Sequence, residues 1–245
     1  MHLPQGLNPE MTTLLIATRN PHKVGEIQAV LGPDFLCLTL SAFPEAPTVI
    51  EDATTFAGNA ILKAVTLARW LELGGRVPAG ERWFVLADDS GLEVDALDGA
   101  PGVHSARFAA LEGGQPGNSS DADNNAKLLR LLAGVPLPLR TARFRCAIAV
   151  VELERRATTA GTVAPAAVPG KARTFEGACE GQIRFEPRGQ AGFGYDPLFQ
   201  PDGFELTFAE LGEAAKNQIS HRARALGRLR DAWNATPDPG GQNRG

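Results

Sequence analysis

Four apolar residues in a row, Leu14, Leu15, Ile16 and Ala17, run straight into the polar turn Thr18–Pro21 and then into a helical stripe of Val24, Ile27, Val30 and Leu31. An uninterrupted apolar run of this length predicts a strand buried on both faces, and the stripe stopped by Gly32 and Pro33 predicts a helix. A strand, polar loop and helix in that order restricts the chain to an α/β architecture with helices packed on a sheet. Two further segments extend the pattern. Ile61, Leu62, Val65, Ala68 and Leu71 predict a helix from about Thr55 to Leu73 closed by Gly74 and Gly75, and Trp83 to Ala87 predicts a second buried strand that ends at Asp88.

Downstream, Asp121 or Asp123 is suited to cap a helix through Leu132. Thr141 to Glu154 and Arg173 to Phe185 are long strand candidates, joined by an Ala, Thr, Pro and Gly-rich loop from Ala157 to Gly170. Ser220 is placed to cap a last helix carrying Ile219, Ala223, Leu226, Leu229 and Trp233. Residues 1–13 are expected to be an extension lacking order, 236–245 a disordered tail, and 14–235 a single domain.

Composition excludes several classes of function. The apolar fraction of 43% is enough for a sizeable core, and 24 basic residues against 28 acidic ones give no general attraction for nucleic acid. Cys37, Cys146 and Cys179 have neither zinc-ligand nor disulfide spacing, which favours a reducing, cytoplasmic setting. No apolar run is long enough to cross a membrane as a helix, and no signal peptide is evident at the start.

Four constellations carry chemistry. Thr18, Arg19, Asn20, Pro21, His22 and Lys23, between a strand and a helix, suit phosphate oxygens; the bland alternative is a polar turn with a capping Asn or Thr. Asp88, Asp89, Ser90 and Gly91 bring two carboxylates together, and a divalent cation between one of them and a phosphate relieves that charge; the bland alternative is an acidic turn with Asp95 and Asp98 simply solvated. Gly192, Phe193, Gly194, Tyr195 and Asp196 combine close backbone approach with two aromatics for stacking on a planar base, or form a Gly and Pro turn with core aromatics. Lys216, Ser220, His221 and Arg222 mark the start of the last helix as an anion site or as an ordinary basic face.

Taken in order, the stretches ATRNPHK, TFAGNAILKA, LADDSGLEVDALDGAPGVHSARFA, GFGYDPLF and KNQISHRARAL resemble the inosine and xanthosine triphosphate pyrophosphatases, also called Ham1-like or RdgB-like proteins. The resemblance runs from Leu14 to about Trp233. It implies an elongated, two-lobed α/β fold with a long twisted mixed sheet and the nucleotide in the cleft between lobes. It further implies hydrolysis of ITP, dITP or XTP to the monophosphate and pyrophosphate, Mg²⁺ as cofactor, and a homodimer.

Site roles follow from the same resemblance. Thr18, Asn20 and Lys23 would hold the triphosphate, and Asp89 would be proton acceptor and metal ligand. Glu51 would help place the metal, with Asp88 and Lys63 supporting the catalytic carboxylate. Ser90, Phe193 to Asp196, Lys216, His221 and Arg222 would contact the nucleotide. Two positions depart from the family pattern: Gly58 replaces a usual Glu, and Arg19 stands where Gly is frequent. The alternatives are a Maf-like pyrophosphatase acting on modified pyrimidine nucleotides and a nucleotide-binding module without turnover.

Overall fold

The computed structural model describes residues 12–235 except 34, 79–80, 115–116 and 155–170. The loop from Ala157 to Gly170, the tail from 236 and most of the expected extension lie outside the described residues. The elements are β1 (Thr12–Ile16), α1 (Pro21–Leu31), β2 (Phe35–Thr39), α2 (Phe56–Leu73), β3 (Arg82–Val94), the single turn α3 (Ala110–Gly113), α4 (Asp121–Leu131), β4 (Thr141–Glu154), β5 (Arg173–Ile183), β6 (Phe199–Pro201), α5 (Phe208–Ile219) and α6 (His221–Asn234). Thr12 and Thr13, assigned to the extension from sequence, instead open β1 and pair with β2.

One mixed sheet of order β2-β1-β3-β4-β5-β6 organises these elements. β1 runs parallel to β2 and β3, and the remaining pairs are antiparallel. Helices cover both faces, as the α/β reading requires. On one face α2 packs on Leu15, Val85, Ala87, Ala147 and Ala149; on the other, α1 and α6 pack on Leu14, Ile16, Phe84, Leu86 and Ile148. A third cluster around Leu92, Phe144, Phe199 and Phe208 fills the far end of the sheet with α4 and α5. Each large aliphatic chain buried this way contributes ~1.5–3 kcal/mol.

Four expectations are corrected. β3 does not end at Asp88 but runs on through the acid pair to Val94, because it is paired with β4 along its whole length from Arg82 to Val94. α2 turns its Ala60, Ala64, Leu67, Ala68 and Leu71 face inward, and Ile61 and Leu62 stay more than a third exposed. The small alanines let the helix axis approach the sheet. The cap of α4 is Ser120, whose hydroxyl accepts from the Asp123 amide, and neither aspartate caps the helix. Lys216 lies near the end of a separate helix, α5, before Ser220 caps α6.

Two glycines permit close approach. A Cβ at Gly91 of β3 would stand 2.5 Å from the Gly102 carbonyl oxygen and 2.4 Å from Ser105 Oγ. One at Gly177 of β5 would stand 2.2 Å from the His221 carbonyl oxygen and 2.6 Å from the Ala225 nitrogen, so α6 rests its first turn directly on the strand. Among the described residues no helix is long and apolar enough to cross a membrane.

Candidate active site

Side chains alternate across a strand, so consecutive Asp88 and Asp89 of β3 project to opposite faces of the sheet. The crowding anticipated from their adjacency is thereby reduced. Each acid has its own partners.

Asp89 faces α2, where Asn59 and Lys63 sit one helical turn apart. Asn59 Nδ2 donates to Asp89 Oδ2 at 3.1 Å, and Lys63 Nζ donates to Asp89 Oδ1 at 3.3 Å and to Glu51 Oε2 at 2.9 Å. The Asn59 amide oxygen accepts from the Ala53 nitrogen at 2.9 Å, tying the loop that carries Glu51 to the same helix. Burial raises the Asp89 pKa; Lys63 opposes the rise while Glu51 and Asp88 add to it. Burial works against the Lys63 charge, yet Asp89 and Glu51 outweigh it and raise its pKa, so the ammonium stays protonated between the two acids.

Asp88 faces α1 and α6 and is fully buried. Lys23 pairs with Asp88 Oδ1, and Arg222 Nε donates to Asp88 Oδ2 at 3.1 Å. Desolvation disfavours this carboxylate, but Arg222 and then Lys23 prevail and hold its pKa well below the usual carboxylate range. Arg222 also binds Ser90 Oγ through Nη2 at 2.8 Å and Glu26 through Nη1. Cys146 donates its thiol to Asp88 Oδ2 at 3.2 Å; burial, reinforced by the Asp88 charge, keeps that thiol protonated.

In the turn before α1, Asn20 Oδ1 accepts from the His22 and Lys23 amides at 2.9 and 3.4 Å, while Thr18 Oγ1 accepts from the Asn20 amide at 3.2 Å. The capping-turn reading therefore holds for Thr18 and Asn20, with Pro21 at the first helical position. Arg19 donates to the Ala46 carbonyl at 3.1 Å.

Phe193 lies in a loop whose Gly192 has a φ of 79° and would carry a Cβ 2.1 Å from Asp196 Oδ2. That same oxygen accepts from the Phe193 amide at 2.9 Å and from Lys216 Nζ at 2.6 Å. Lys216 also pairs with Glu26 at 2.8 Å and stands 4.3 Å from the Phe193 ring centroid. The His22 ring stacks on Phe193 at 5.3 Å. A cleft of about 200 Å³ opens here, lined by His22, Glu26, Phe193 and Lys216. His221 is buried, stacked on Phe144 at 4.8 Å, with its Nδ1 unpartnered; burial, then the Arg222 and Lys216 charges, push its pKa well down and keep the ring neutral.

Tyr195 corrects the two-aromatic expectation. Its ring belongs to the third hydrophobic cluster and its hydroxyl donates to the Ser105 carbonyl at 2.9 Å, so of these two rings Phe193 alone borders the cleft. Glu26 and Asn59 were not anticipated. The Asn59–Lys63 spacing was a usable signal, whereas Glu26 meets Lys216 and Arg222 only through the packing of α1 on α5 and α6.

Among the described residues no cluster of three or more His, Cys, Asp or Glu side chains is arranged to hold a metal. Glu51 and Asp89 nonetheless present two carboxylates to one cationic centre, Lys63. An oxygen-only pair that leaves other positions to phosphate and water suits a hard cation such as Mg²⁺. A side chain at Gly58 would begin 2.7 Å from Ala53 Cβ, so the Glu usual there would have to displace the loop bearing Glu51.

The model of the Ham1 family matches residues 14–232. A dITP/XTP pyrophosphatase of Desulforamulus reducens is 46% identical over 90% of this chain and 95% of its own, and one from Geobacter sulfurreducens is 47% identical over 90% and 96%. Among solved structures, the Ham1 protein of Staphylococcus aureus is 33% identical with a TM-score of 0.69, covering 91% of this chain and 98% of its own. A HAM1 protein from Coxiella burnetii is 32% identical with a TM-score of 0.70, covering 92% and 100%. With the motifs, the mixed sheet and near end-to-end similarity in agreement, this chain belongs to the Ham1 family.

Proposed function

We propose that this chain is a nucleoside triphosphate pyrophosphatase that removes aberrant purine nucleotides such as dITP and XTP, releasing the monophosphate and pyrophosphate. Relatives named for that activity match it over nearly the whole of both chains. The observation that carries the chemistry is the division of labour between the two acids. Asp88 is neutralised by Lys23 and Arg222, whereas Asp89 keeps a raised pKa beside a single ammonium and a neighbouring carboxylate.

In this reading Asp89 orients a water and takes its proton through a carboxylate oxygen as the water attacks the phosphorus next to the nucleoside. Lys63 fixes the Asp89 rotamer from one side and Asn59 from the other. Thr18, Asn20 and Lys23 turn toward the phosphates, Lys23 exchanging part of its hold on Asp88 for phosphate oxygens. Glu51 and Asp89 would hold a Mg²⁺ ion, which would neutralise phosphate charge. Phe193 offers a face to the base. His221 would favour a purine bearing an oxygen at position 6 by presenting a ring N–H to it, a donor against which the amino group of adenine finds no acceptor. A cytoplasmic homodimer completes the proposal.

The test is pyrophosphate release from ITP, dITP, XTP, ATP, GTP and a set of pyrimidine triphosphates, with Mg²⁺ and with EDTA. Preference for ITP and XTP that disappears in EDTA supports the reading. Equal or better turnover of a pyrimidine nucleotide would move it to the Maf-like alternative, and no turnover at all to a binding module.

A further inference from the structure

The polar face of α4 is used neither by the acids nor by the turn before α1, yet it is unusually committed. Asp121 and Asn125, four residues apart and so on one face of the helix, hold Gly194 from both sides, through the two peptide groups that flank its Cα. The Gly194 amide donates to Asp121 Oδ2 at 2.7 Å, and Asn125 Nδ2 donates to the Gly194 carbonyl at 2.9 Å. Gly194 sits at a φ of 63°, a conformation most residues avoid, directly after Phe193. The next stretch of the helix grips a second loop. Asn124 accepts from the Ala109 amide at 2.8 Å and donates to the Ala106 carbonyl at 3.4 Å, and Lys127 donates to the Phe108 carbonyl at 2.6 Å. Between these residues lies Arg107, whose Nη2 donates to the Glu51 carbonyl at 3.4 Å.

One helix therefore links the aromatic end of the site to the backbone of Glu51. We infer that Asp121 and Asn125 are positioning residues: their two-sided grip on Gly194 sets the height and tilt of the Phe193 face that receives the base. The inference rests on the proposed function for the identity of that base. Phe193 itself has no hydrophobic socket in the described clusters. Its place is fixed by its own amide on Asp196, by Lys216 and His22 beside the ring, and by the clamped Gly194 that follows it. Releasing the clamp should weaken base binding while leaving the phosphate end, built on α1, α2 and β3, as it is.

The variants are Asp121→Ala, which removes the acceptor, and Asp121→Asn, which loses the charge but keeps an oxygen able to accept from the Gly194 amide. Competitive inhibition by inosine monophosphate and by inorganic pyrophosphate separates the base end from the phosphate end. For Asp121→Ala the inhibition constant of the monophosphate should rise about fivefold or more, the scale of one lost hydrogen bond, with that of pyrophosphate and kcat changing less than about twofold. Asp121→Asn should recover most of the loss. Backbone hydrogen exchange across residues 190–198 should quicken in Asp121→Ala with an unchanged melting temperature.

An unchanged monophosphate constant, or an Asn variant as impaired as Ala, would overturn the inference. Should the unaltered enzyme release no pyrophosphate from any nucleotide, the proposed function falls. The exchange comparison still decides whether Asp121 clamps the loop.

Discussion

Replacing Asp88 with Asn tests the electrostatic frame of the site most directly. The substitution keeps shape and one acceptor oxygen but leaves Lys23 and Arg222 facing a neutral group in a fully buried position. Removing one partner of a buried ion pair costs roughly 3–5 kcal/mol. Arg222 retains Glu26 and Ser90, and the amide oxygen still accepts a hydrogen bond, which places the loss near the lower end, about 3 kcal/mol. For a chain of this size that corresponds to a melting temperature lower by about 6–12 °C. A pH leg makes the attribution specific. Asp88 is held well below the usual carboxylate range, so it stays ionised in the folded chain while the unfolded chain takes up a proton below about pH 4. Its stabilisation is therefore complete at neutral pH and shrinks as pH falls through the unfolded value. Thermal unfolding of both proteins at pH 7 and at about pH 3 should show a gap that narrows on acidification. A loss below about 1 °C at pH 7, or the same gap at both pH values, would refute the reasoning.

Three further outcomes are expected. Asp89→Asn should lower kcat by about two orders of magnitude or more with the fold intact, while Asp98→Asn should be silent, as pyrophosphate release under saturating Mg²⁺ will show. His221→Ala should reduce turnover of ITP much more than that of ATP; equal losses on both would mean that the residue does not read the base. Gly177→Ala should lower stability by ~1–3 kcal/mol in urea unfolding, because the added methyl meets the backbone of α6 at His221 and Ala225.

The architecture was legible wherever a segment's own residues decide its state. The run from Leu14 and the stripe from Val24 to Leu31 gave β1 and α1 within a residue or two, and Thr141 to Glu154 is β4 as expected. The errors fall where a partner elsewhere in the chain decides. Asp-Asp-Ser-Gly has turn chemistry in isolation, but β4 supplies a paired backbone for every residue of it, and pairing overrides propensity. β2 is a five-residue strand with no fully buried position, too short and mixed for periodicity to reveal. α5 does carry a local signal, the Thr207–Glu210 capping box at its start. The site followed the same division. Motif residues were identifiable one by one, but the link from Lys23 through Asp88 to Arg222 joins α1, β3 and α6, and no local spacing encodes it.

Gly91 has a bearing on the acids that its own position does not suggest. Val85, Leu86 and Ala87 are buried whichever way they point, so apolar patterning alone holds β3 weakly against a one-residue slip. Such a slip would still offer a carboxylate to each face, with one acid taking the other's position and Ala87 or Ser90 taking the position left, a failure that net charge could not detect. It would also carry Ser90 or Leu92 to the point where only a hydrogen fits beneath the Gly102 carbonyl. The glycine two residues beyond Asp89 thus acts as a keyway for the strand, admitting only the threading in which Asp88 is neutralised and Asp89 remains available as a base.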